Sequence, residues 1–237
     1  MTNKDNSEPT IYPMPLVRVD LAVFSIQEGC LKVLLSQRKE APFKNKWGLP
    51  GGVLRIDLDE SFHAAAKRIG VERIGIAPTG LQQVVTVGGA KRDPRAPWAV
   101  SVVFRGMVKP DLQLSLGKRI NALEWRPVTD AGASSELAFD HRDLIELAVI
   151  DIRNKVRELH FPEGTLPDTF TIPELQALSE EILGHPLDKV TFRRRVLAKE
   201  ILVELSEELR GGAHRPAKIY TLNSKSMKAK TKLNANN

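Results

Sequence analysis

The sequence contains a single cysteine, Cys30, and no apolar run long enough to cross a bilayer. One cysteine excludes a disulfide framework and a zinc site built from cysteines. A membrane-spanning helix needs about 20 apolar residues in succession. The first ten residues, MTNKDNSEPT, also lack the apolar segment of a secretory signal. We therefore expect a cytoplasmic protein with no membrane partner.

The composition is that of a globular protein, with 42% apolar and 27% charged residues in a chain of 237. This length is sufficient for one large domain or for two smaller ones, each with its own core. The net charge of +6 favours a polyanionic partner. It is weak evidence alone, because many basic proteins bind no nucleic acid, so the position of the charge matters more.

The first part of the chain has the succession of predicted strands and helices that is typical of an α+β domain. Apolar residues that alternate with polar ones predict strands, and apolar residues at helical spacing predict helices. Strands are predicted at residues 16–26, 31–37, 83–87, 99–108 and 123–128, and helices at 61–74 and 141–159, with Asp59 or Ser61 as the cap of the first helix. We expect a domain over residues 14–160, preceded by a disordered segment 1–13.

A break in the pattern follows this domain. Residues 161–168, FPEGTLPD, contain two prolines and a glycine, which is typical of a linker. Thr171-Ile-Pro-Glu174 is a capping box, in which the Thr hydroxyl accepts the Glu174 amide and Pro173 occupies the first turn. The helix that begins there is expected to end near Gly184. A turn and a second helix from about Asp188 follow.

Two short strands, 201–205 and 218–222, are predicted after this helix pair. The order of helix, turn, helix and β-hairpin is that of a winged helix-turn-helix. We therefore predict a DNA-binding domain over residues 161–223. The last segment, 224–237, has four lysines and no acidic residue, and we expect it to be disordered.

The segment GGVLRIDLDESFHAAAKRIGVERIGI resembles the Nudix box of nucleotide pyrophosphohydrolases. If Glu60 is the first glutamate of the motif, Arg68 takes the place of its arginine and Gly75 that of its closing glycine. The gap between Gly52 and Glu60 is then two residues longer than in the motif. In active members, carboxylates on one helix face hold Mg²⁺ or Mn²⁺ against the substrate diphosphate.

This carboxylate cluster is damaged. Ile69 and Arg73 replace two of its acidic residues, and only the relic positions Glu60 and Glu72 remain. A cation in place of a carboxylate removes a metal ligand and repels the metal. We expect no catalytic residue, no bound metal and no cofactor.

Segments on both sides of the box support the resemblance. Trp47-Gly-Leu-Pro-Gly-Gly52 precedes it, and TVGGAKRDPRAPWAVSVV resembles a segment of Nudix proteins specific for ADP-ribose. Arg92 and Arg95 offer planar donors for a diphosphate, and Trp47 and Trp98 could stack on a base. The alternatives are a solvated basic loop and core tryptophans. The expected ligand-binding residues are Arg38, Trp47, Arg92, Asp93, Arg95 and Trp98.

His141 follows Asp140 directly at the start of the last helix of this domain. The two side chains could form an acid–base pair. The favoured interpretation is that His141 caps the helix.

The second helix of the predicted winged helix carries Phe192-Arg-Arg-Arg195, the strongest charge cluster of the chain. Phe192 and Val196 lie four residues apart and are expected to anchor the helix, so that arginines face outward into a DNA major groove. Residues of the wing tip are expected to grip the backbone or minor groove. The expected DNA-binding residues are Lys189, Thr191, Arg193, Arg194, Arg195, His214, Arg215 and Lys218. The alternative is a solvated basic face.

Over residues 16–222 the chain resembles the Nudix-related transcription regulators of the NrtR type. The resemblance implies a Nudix α/β/α sandwich with a mixed sheet, followed by a winged helix. It also implies a homodimeric repressor of NAD biosynthesis or salvage genes that binds double-stranded operator DNA. Its effector would be ADP-ribose or a related nucleotide or sugar phosphate. Other branches of similar architecture control sugar catabolism.

Two alternatives stay open. The first is an ADP-ribose or nucleoside-diphosphate pyrophosphatase with a regulatory C-terminal domain, which requires Glu60 and Glu72 to hold a metal with outside help. The second is an RNA-linked Nudix protein, because winged helices also bind RNA.

Overall fold

The computed structural model describes residues 14–210 and 217–223. The strands are β1 Leu16–Gln27, β2 Cys30–Arg38, β3 Trp47–Gly48, β4 Gly51–Val53, β5 Gln82–Ala90, β6 Trp98–Met107, β7 Ile120–Pro127, β8 Leu202–Arg210 and β9 Ala217–Leu222. The helices are α1 Phe62–Ile74, α2 Val128–Ala133, α3 His141–Arg157, α4 Ile172–Leu183 and α5 Lys189–Ala198. No helix among these residues is long and apolar enough to span a membrane.

The first seven strands form one mixed sheet in the order β3-β2-β1-β6-β5, with β4 paired to β1 and β7 paired to β2. Strands β1 and β6 are parallel, whereas the other pairs are antiparallel. Strand β1 is apolar on both sides because both faces of the sheet are covered. Leu21 belongs to the core on one side of the sheet, and Phe24 belongs to the core on the other.

The helices cover the two faces of this sheet. Helix α1 buries Ala65 and Ile69 in one core, and α3 buries Leu144 and Ile152 in the other. The predicted α/β/α sandwich with a mixed sheet is therefore confirmed. Ser61 caps α1 by accepting a hydrogen bond from the Ala64 amide at 3.1 Å.

The segment between α3 and α4 packs closely against the sheet. Phe161 and Thr165 in this segment are buried. Gly164 has a φ of +85°, and a Cβ there would lie 2.4 Å from the Met107 carbonyl oxygen. The apolar cluster beneath α3 continues without interruption to Phe192 of α5. The domain boundary between residues 160 and 161 stays a prediction.

Both helices of the helix-turn-helix are capped, and the capping box that the sequence predicts is present at α4. Thr171 accepts a hydrogen bond from the Glu174 amide at 3.3 Å, and the Glu174 carboxylate accepts one from the Thr171 amide at 2.7 Å. Asp188 caps α5 by accepting from the Thr191 amide at 2.9 Å. These caps satisfy amides that would otherwise lack a partner at the helix starts.

Strands β8 and β9 form an antiparallel hairpin, of which β8 is longer than predicted. Phe170, just before α4, exchanges two backbone hydrogen bonds with Tyr220 of β9, at 2.8 and 2.9 Å. Helix, turn, helix and hairpin confirm the predicted winged helix. The predictions for residues 1–13 and 224–237 lie outside the described residues, as do those for His214 and Arg215.

Candidate functional site

A cavity of about 450 Å³ opens beside the Gly48–Val53 segment, where α1 meets the sheet. Its volume is typical of small-molecule sites. Eight of the side chains that line it are basic and two are acidic. Arg18, Arg38, Arg73 and Arg95 are among the basic ones. Such an excess of cations in a concave surface attracts an anionic ligand.

A buried carboxylate supports this cavity from below. Asp20 on β1 accepts a hydrogen bond from Arg18 Nη2 at 3.2 Å and another from the Ser101 hydroxyl. Burial alone would raise the pKa of Asp20, but Arg18, His141 and Ser101 together lower it below its usual value. Asp20 is therefore an ionised anchor that holds the Arg18 guanidinium in the cavity wall.

His141 lies at the cavity and is only 3% exposed. Its Nδ1 accepts a hydrogen bond from the Leu49 amide at 2.8 Å, so the ring proton of the neutral form lies on Nε2. Burial lowers the pKa of His141 to about 4. The prediction that His141 caps α3 is wrong: Asp140 is the N-cap residue, and the imidazole binds Leu49 instead.

Two glycines of the Trp47–Gly52 motif allow this arrangement. A Cβ at Gly48 would lie 2.5 Å from His141 Nδ1, and a Cβ at Gly51 would lie 2.0 Å from Asp20 Oδ1. Both distances are far below van der Waals contact. The segment must therefore lack side chains at these positions for the backbone to lie on the two buried groups.

Two of the six predicted ligand-binding residues line the cavity. Arg38 donates from Nε to the Pro42 carbonyl at 2.7 Å, and burial together with the nearby Arg18 and Arg95 lowers the pKa of Arg38 to about 10. Arg95 is held by Asp93, which accepts from its Nε at 2.8 Å. The predicted residue Asp93 is itself buried and orients Arg95.

The other three predicted ligand-binding residues do not line this cavity. Arg92 forms a bidentate pair with Asp140, at 2.7 and 2.8 Å. Trp47 packs against the core, with the guanidinium of Arg126 5.4 Å from its ring. Trp98 is exposed beside Gly88. In this structure these three side chains therefore contact other parts of the protein and not the cavity.

The carboxylates of the Nudix box are engaged by arginine. Asp59, and not Glu60, forms the bidentate pair with Arg68, at 2.7 Å for both bonds. Arg68 also donates to Glu72 at 3.2 Å. Asp59 thus makes the contact with the arginine of the motif, and the assignment of Glu60 to its first acidic position stays a prediction.

The residues present do not fit a divalent cation. Arg73 donates from Nε to the Gly51 carbonyl at 3.0 Å and from Nη1 to the Lys118 carbonyl at 2.7 Å. Ile69 is fully buried in the core. Within residues 14–210 and 217–223, no three His, Cys, Asp or Glu side chains cluster as metal ligands would. Mg²⁺ and Mn²⁺ need several oxygen ligands, whereas here a guanidinium lines the same wall.

The second candidate surface is helix α5. Phe192 and Val196 are buried and anchor the helix, as predicted. On its outer side the exposed residues include Lys189, Thr191, Arg193 and Arg194, all of them predicted to contact DNA. An exposed, basic helix of this size fits a major groove.

Two further predicted DNA-binding residues have protein partners. Arg195 donates from Nη2 to the Arg157 carbonyl at the end of α3, at 2.7 Å. Lys218 on β9 forms an ion pair with Glu204 at 2.7 Å, which raises the pKa of Lys218. The side chain of Arg195 is nevertheless exposed, and its predicted contact with DNA stays a prediction. Lys218 remains exposed and can exchange its partner for a phosphate.

Sequence reasoning missed the buried part of the site. Arg18, Asp20 and His141 were not predicted as its framework, and Arg73 was considered only as a lost metal ligand. A signal was present in β1, where Arg18 and Asp20 interrupt an otherwise apolar strand. Charged side chains in a strand covered on both faces are rarely buried without a specific partner.

Known proteins resemble the chain over both parts. Residues 14–148 match the NUDIX domain, and residues 164–222 match the NrtR DNA-binding winged helix domain. The ADPR responsive transcriptional repressor NtrR of Acinetobacter baylyi is 38% identical over 209 residues, which cover 88% of this chain and 82% of the relative. An ADP-ribose pyrophosphatase of Methanocaldococcus jannaschii is 31% identical over 143 residues, 60% of this chain and 78% of the enzyme.

Solved structures show the same combination of domains. Shewanella oneidensis NrtR, crystallised in complex with a 27mer DNA, has a TM-score of 0.73 and 32% identity, covering 90% of this chain and 95% of that one. The NUDIX domain of that protein in complex with ADP ribose has a TM-score of 0.57 and 33% identity, covering 64% of this chain and 99% of the domain. The chain therefore belongs to the NrtR family, in which a Nudix domain precedes a DNA-binding winged helix.

Proposed function

We propose that the protein is a transcription repressor that binds double-stranded operator DNA and responds to ADP-ribose. The observation that carries this proposal is the presence of two separate basic surfaces, one concave and one convex. The cavity has eight basic side chains, and the outer side of α5 exposes Lys189, Arg193 and Arg194. A related repressor named for its response to ADP-ribose aligns with 88% of this chain.

The cavity suits a nucleoside diphosphate attached to a sugar. Its volume of about 450 Å³ accommodates a ligand of this class. Arg38 and Arg95 present planar guanidinium groups that match phosphate oxygens. Burial and the repulsion from Arg18 and Arg95 lower the pKa of Arg38. A diphosphate bound between these cations would relieve the repulsion.

The DNA-binding surface combines α5 with the wing. We expect the exposed Arg193 and Arg194 to enter the major groove. Arg193 is close enough to Lys218 of β9 for its charge to oppose the rise in the pKa of Lys218 that Glu204 causes. A homodimer on a pseudo-palindromic operator follows as a prediction from the resemblance. Control of NAD biosynthesis or salvage genes is a second prediction on the same ground.

The proposal is tested by selecting duplexes that the protein binds from a random pool. Gel-shift titrations then measure the affinity for the selected duplex with and without ADP-ribose. We expect a selected consensus with two half-sites, and an affinity that changes when ADP-ribose is added. AMP and ribose 5-phosphate, each of which carries only one phosphate, serve as controls. Binding that shows no sequence preference, or that ADP-ribose leaves unchanged, would contradict the proposal.

We propose further that the cavity holds ADP-ribose without cleaving it. Hydrolysis by active Nudix proteins depends on carboxylates that hold a divalent cation. In this chain Arg73 donates to the Gly51 and Lys118 carbonyls, and Glu72 accepts from Arg68. These guanidinium groups supply the positive charge that a metal would bring to the diphosphate.

The second candidate function is a pyrophosphatase, which the 31% identity to an ADP-ribose pyrophosphatase favours. The measurement is the release of AMP from ADP-ribose in Mg²⁺ or Mn²⁺. Turnover above about 1 s⁻¹, within the ordinary range of enzymes, would establish this function. We expect turnover far below that rate.

A further inference from the structure

Helix α3 contacts both basic surfaces. At its start, His141 lines the cavity and Asp140 holds Arg92. At its end, the carbonyl groups of Arg157 and Glu158 accept hydrogen bonds from residues of α5 and its C-terminal cap. Its 17 residues span about 25 Å. One element therefore connects the ligand site to the DNA-binding helix.

The contact at the end of α3 is electrostatically favourable. The last carbonyl groups of a helix have no partners within the helix and carry a partial negative charge. Arg195 donates from Nη2 to the Arg157 carbonyl at 2.7 Å, and the Lys199 ammonium donates to the Glu158 carbonyl. Residues four apart share a helix face. Arg195 and Lys199 thus attach one face of α5 to the end of α3.

Helix α4 is attached to the Nudix domain in a similar way. Arg153, in the middle of α3, donates from Nε to the Ile182 carbonyl at 3.0 Å. The Glu181 carboxylate accepts from the Leu31 amide of β2 at 2.9 Å. Both helices of the helix-turn-helix are consequently held by the Nudix domain, and α5 is held through the end of α3.

We propose that Arg195 and Lys199 are positioning residues that transmit the state of the cavity to the DNA-binding helix. They fix the orientation of α5 relative to α3, whose other end lies in the cavity wall. A ligand can shift DNA affinity only through contacts that differ between the two states of the protein. A small movement of α3 changes these two bonds and turns α5 as a rigid body. The inference rests on the proposed function.

The test measures coupling, which is the ratio of the affinities for the selected duplex with and without saturating ADP-ribose. Allosteric coupling commonly corresponds to about 5- to 150-fold. In Arg195→Ala and in Lys199→Met, the ratio should fall to within about twofold of one. Calorimetry should show that both variants bind ADP-ribose as tightly as the wild type. Arg195→Lys keeps a donor for the Arg157 carbonyl and should restore most of the coupling.

Two controls separate this role from others. Lys67, exposed on α1, lies outside the cavity lining, so Lys67→Ala should retain the wild-type ratio. Arg194→Ala should weaken DNA binding while retaining the ratio. An unchanged ratio in Arg195→Ala overturns the role of Arg195, and an unchanged ratio in Lys199→Met overturns that of Lys199. A wild-type protein that shows no response to ADP-ribose contradicts the proposed function instead.

Discussion

Arg38 illustrates how single residues prepare the cavity for an anion. Its guanidinium is half-buried near Arg18 and Arg95, and this environment lowers its pKa to about 10. The charge is therefore held where it is poorly solvated and repelled by its neighbours. A bound diphosphate would add further hydrogen-bond acceptors and more negative charge beside this guanidinium.

Arg38→Ala should weaken ADP-ribose binding by about 1.5–3 kcal/mol, the range for hydrogen bonds that involve charged groups. Calorimetry on the purified variant measures the change. Arg142→Ala is the matched control, because Arg142 is an exposed arginine of α3 outside the cavity lining. If Arg38→Ala and Arg142→Ala bind ADP-ribose equally well, Arg38 has no part in the site.

His141 makes stability depend on pH. Its pKa in the folded protein is about 4, below the ordinary value of 6.5, because burial disfavours the charged form. The unfolded chain therefore binds more protons than the folded one between these two values. The stability that the neutral imidazole contributes is complete above pH 6.5 and is lost as the pH falls toward 4.

Replacement of His141 by Asn, which can still accept from the Leu49 amide, should flatten this dependence. The free energy of unfolding in urea should fall in the wild type by up to about 1.36 kcal/mol more per pH unit than in the variant. Identical slopes for wild type and His141→Asn would show that the imidazole does not titrate in this way.

At the scale of elements, α5 presents its arginines in different directions. All three are exposed, but only Arg195 donates to the end of α3. Arg194→Ala should reduce affinity for the selected duplex by about 1–3 kcal/mol and relax the preference at one base pair.

Lys218→Ala should instead weaken binding to the selected and to the scrambled duplex equally. It should also reduce the slope of log affinity against log salt concentration by about one. Gel shifts on both duplexes decide. An equal loss on both in Arg194→Ala would mean that Arg194 reads no base.

The longer elements could be predicted from the sequence, whereas the short ones could not. Strands such as β1 and helices such as α3 are long enough for the spacing of their apolar residues to show a strand or helix period. Strands β3 and β4 contain two and three residues and exist through pairing with β2 and β1. Helix α2 has only six residues. The sequence predicts its first residue, Val128, as the end of a strand and gives no prediction for residues 129–133.

The candidate site shows the same limit. Arg38, at the end of β2, and Arg95, in the loop between β5 and β6, could be predicted, because planar guanidinium groups match phosphate oxygens. The pairing of Arg68 with Asp59 could not be decided from helical spacing, because Asp59 precedes the cap Ser61 and lies outside the helix. The buried group around Asp20 depends on strands β1 and β6 lying side by side, a contact between residues distant in sequence.

At the scale of the whole molecule, binding of ADP-ribose should not require a metal. A ligand that binds only the folded state stabilises it by about 2.7 kcal/mol at 100 times its dissociation constant. Thermal unfolding in EDTA should show this stabilisation with ADP-ribose, and added Mg²⁺ should not increase it. Adenosine, which lacks the diphosphate, is the control ligand. Stabilisation that appears only with Mg²⁺ would contradict the role given to Arg73.

The backbone pairing of Phe170 with Tyr220 determines where this winged helix can be joined to another domain. The two residues exchange backbone hydrogen bonds in both directions, so the segment before α4 acts as a third strand beside the hairpin. A chimera that joins this winged helix to a different sensor must therefore be spliced upstream of Phe170. A junction at the start of α4 would strip Tyr220 of both backbone partners and leave an open strand edge beside the wing.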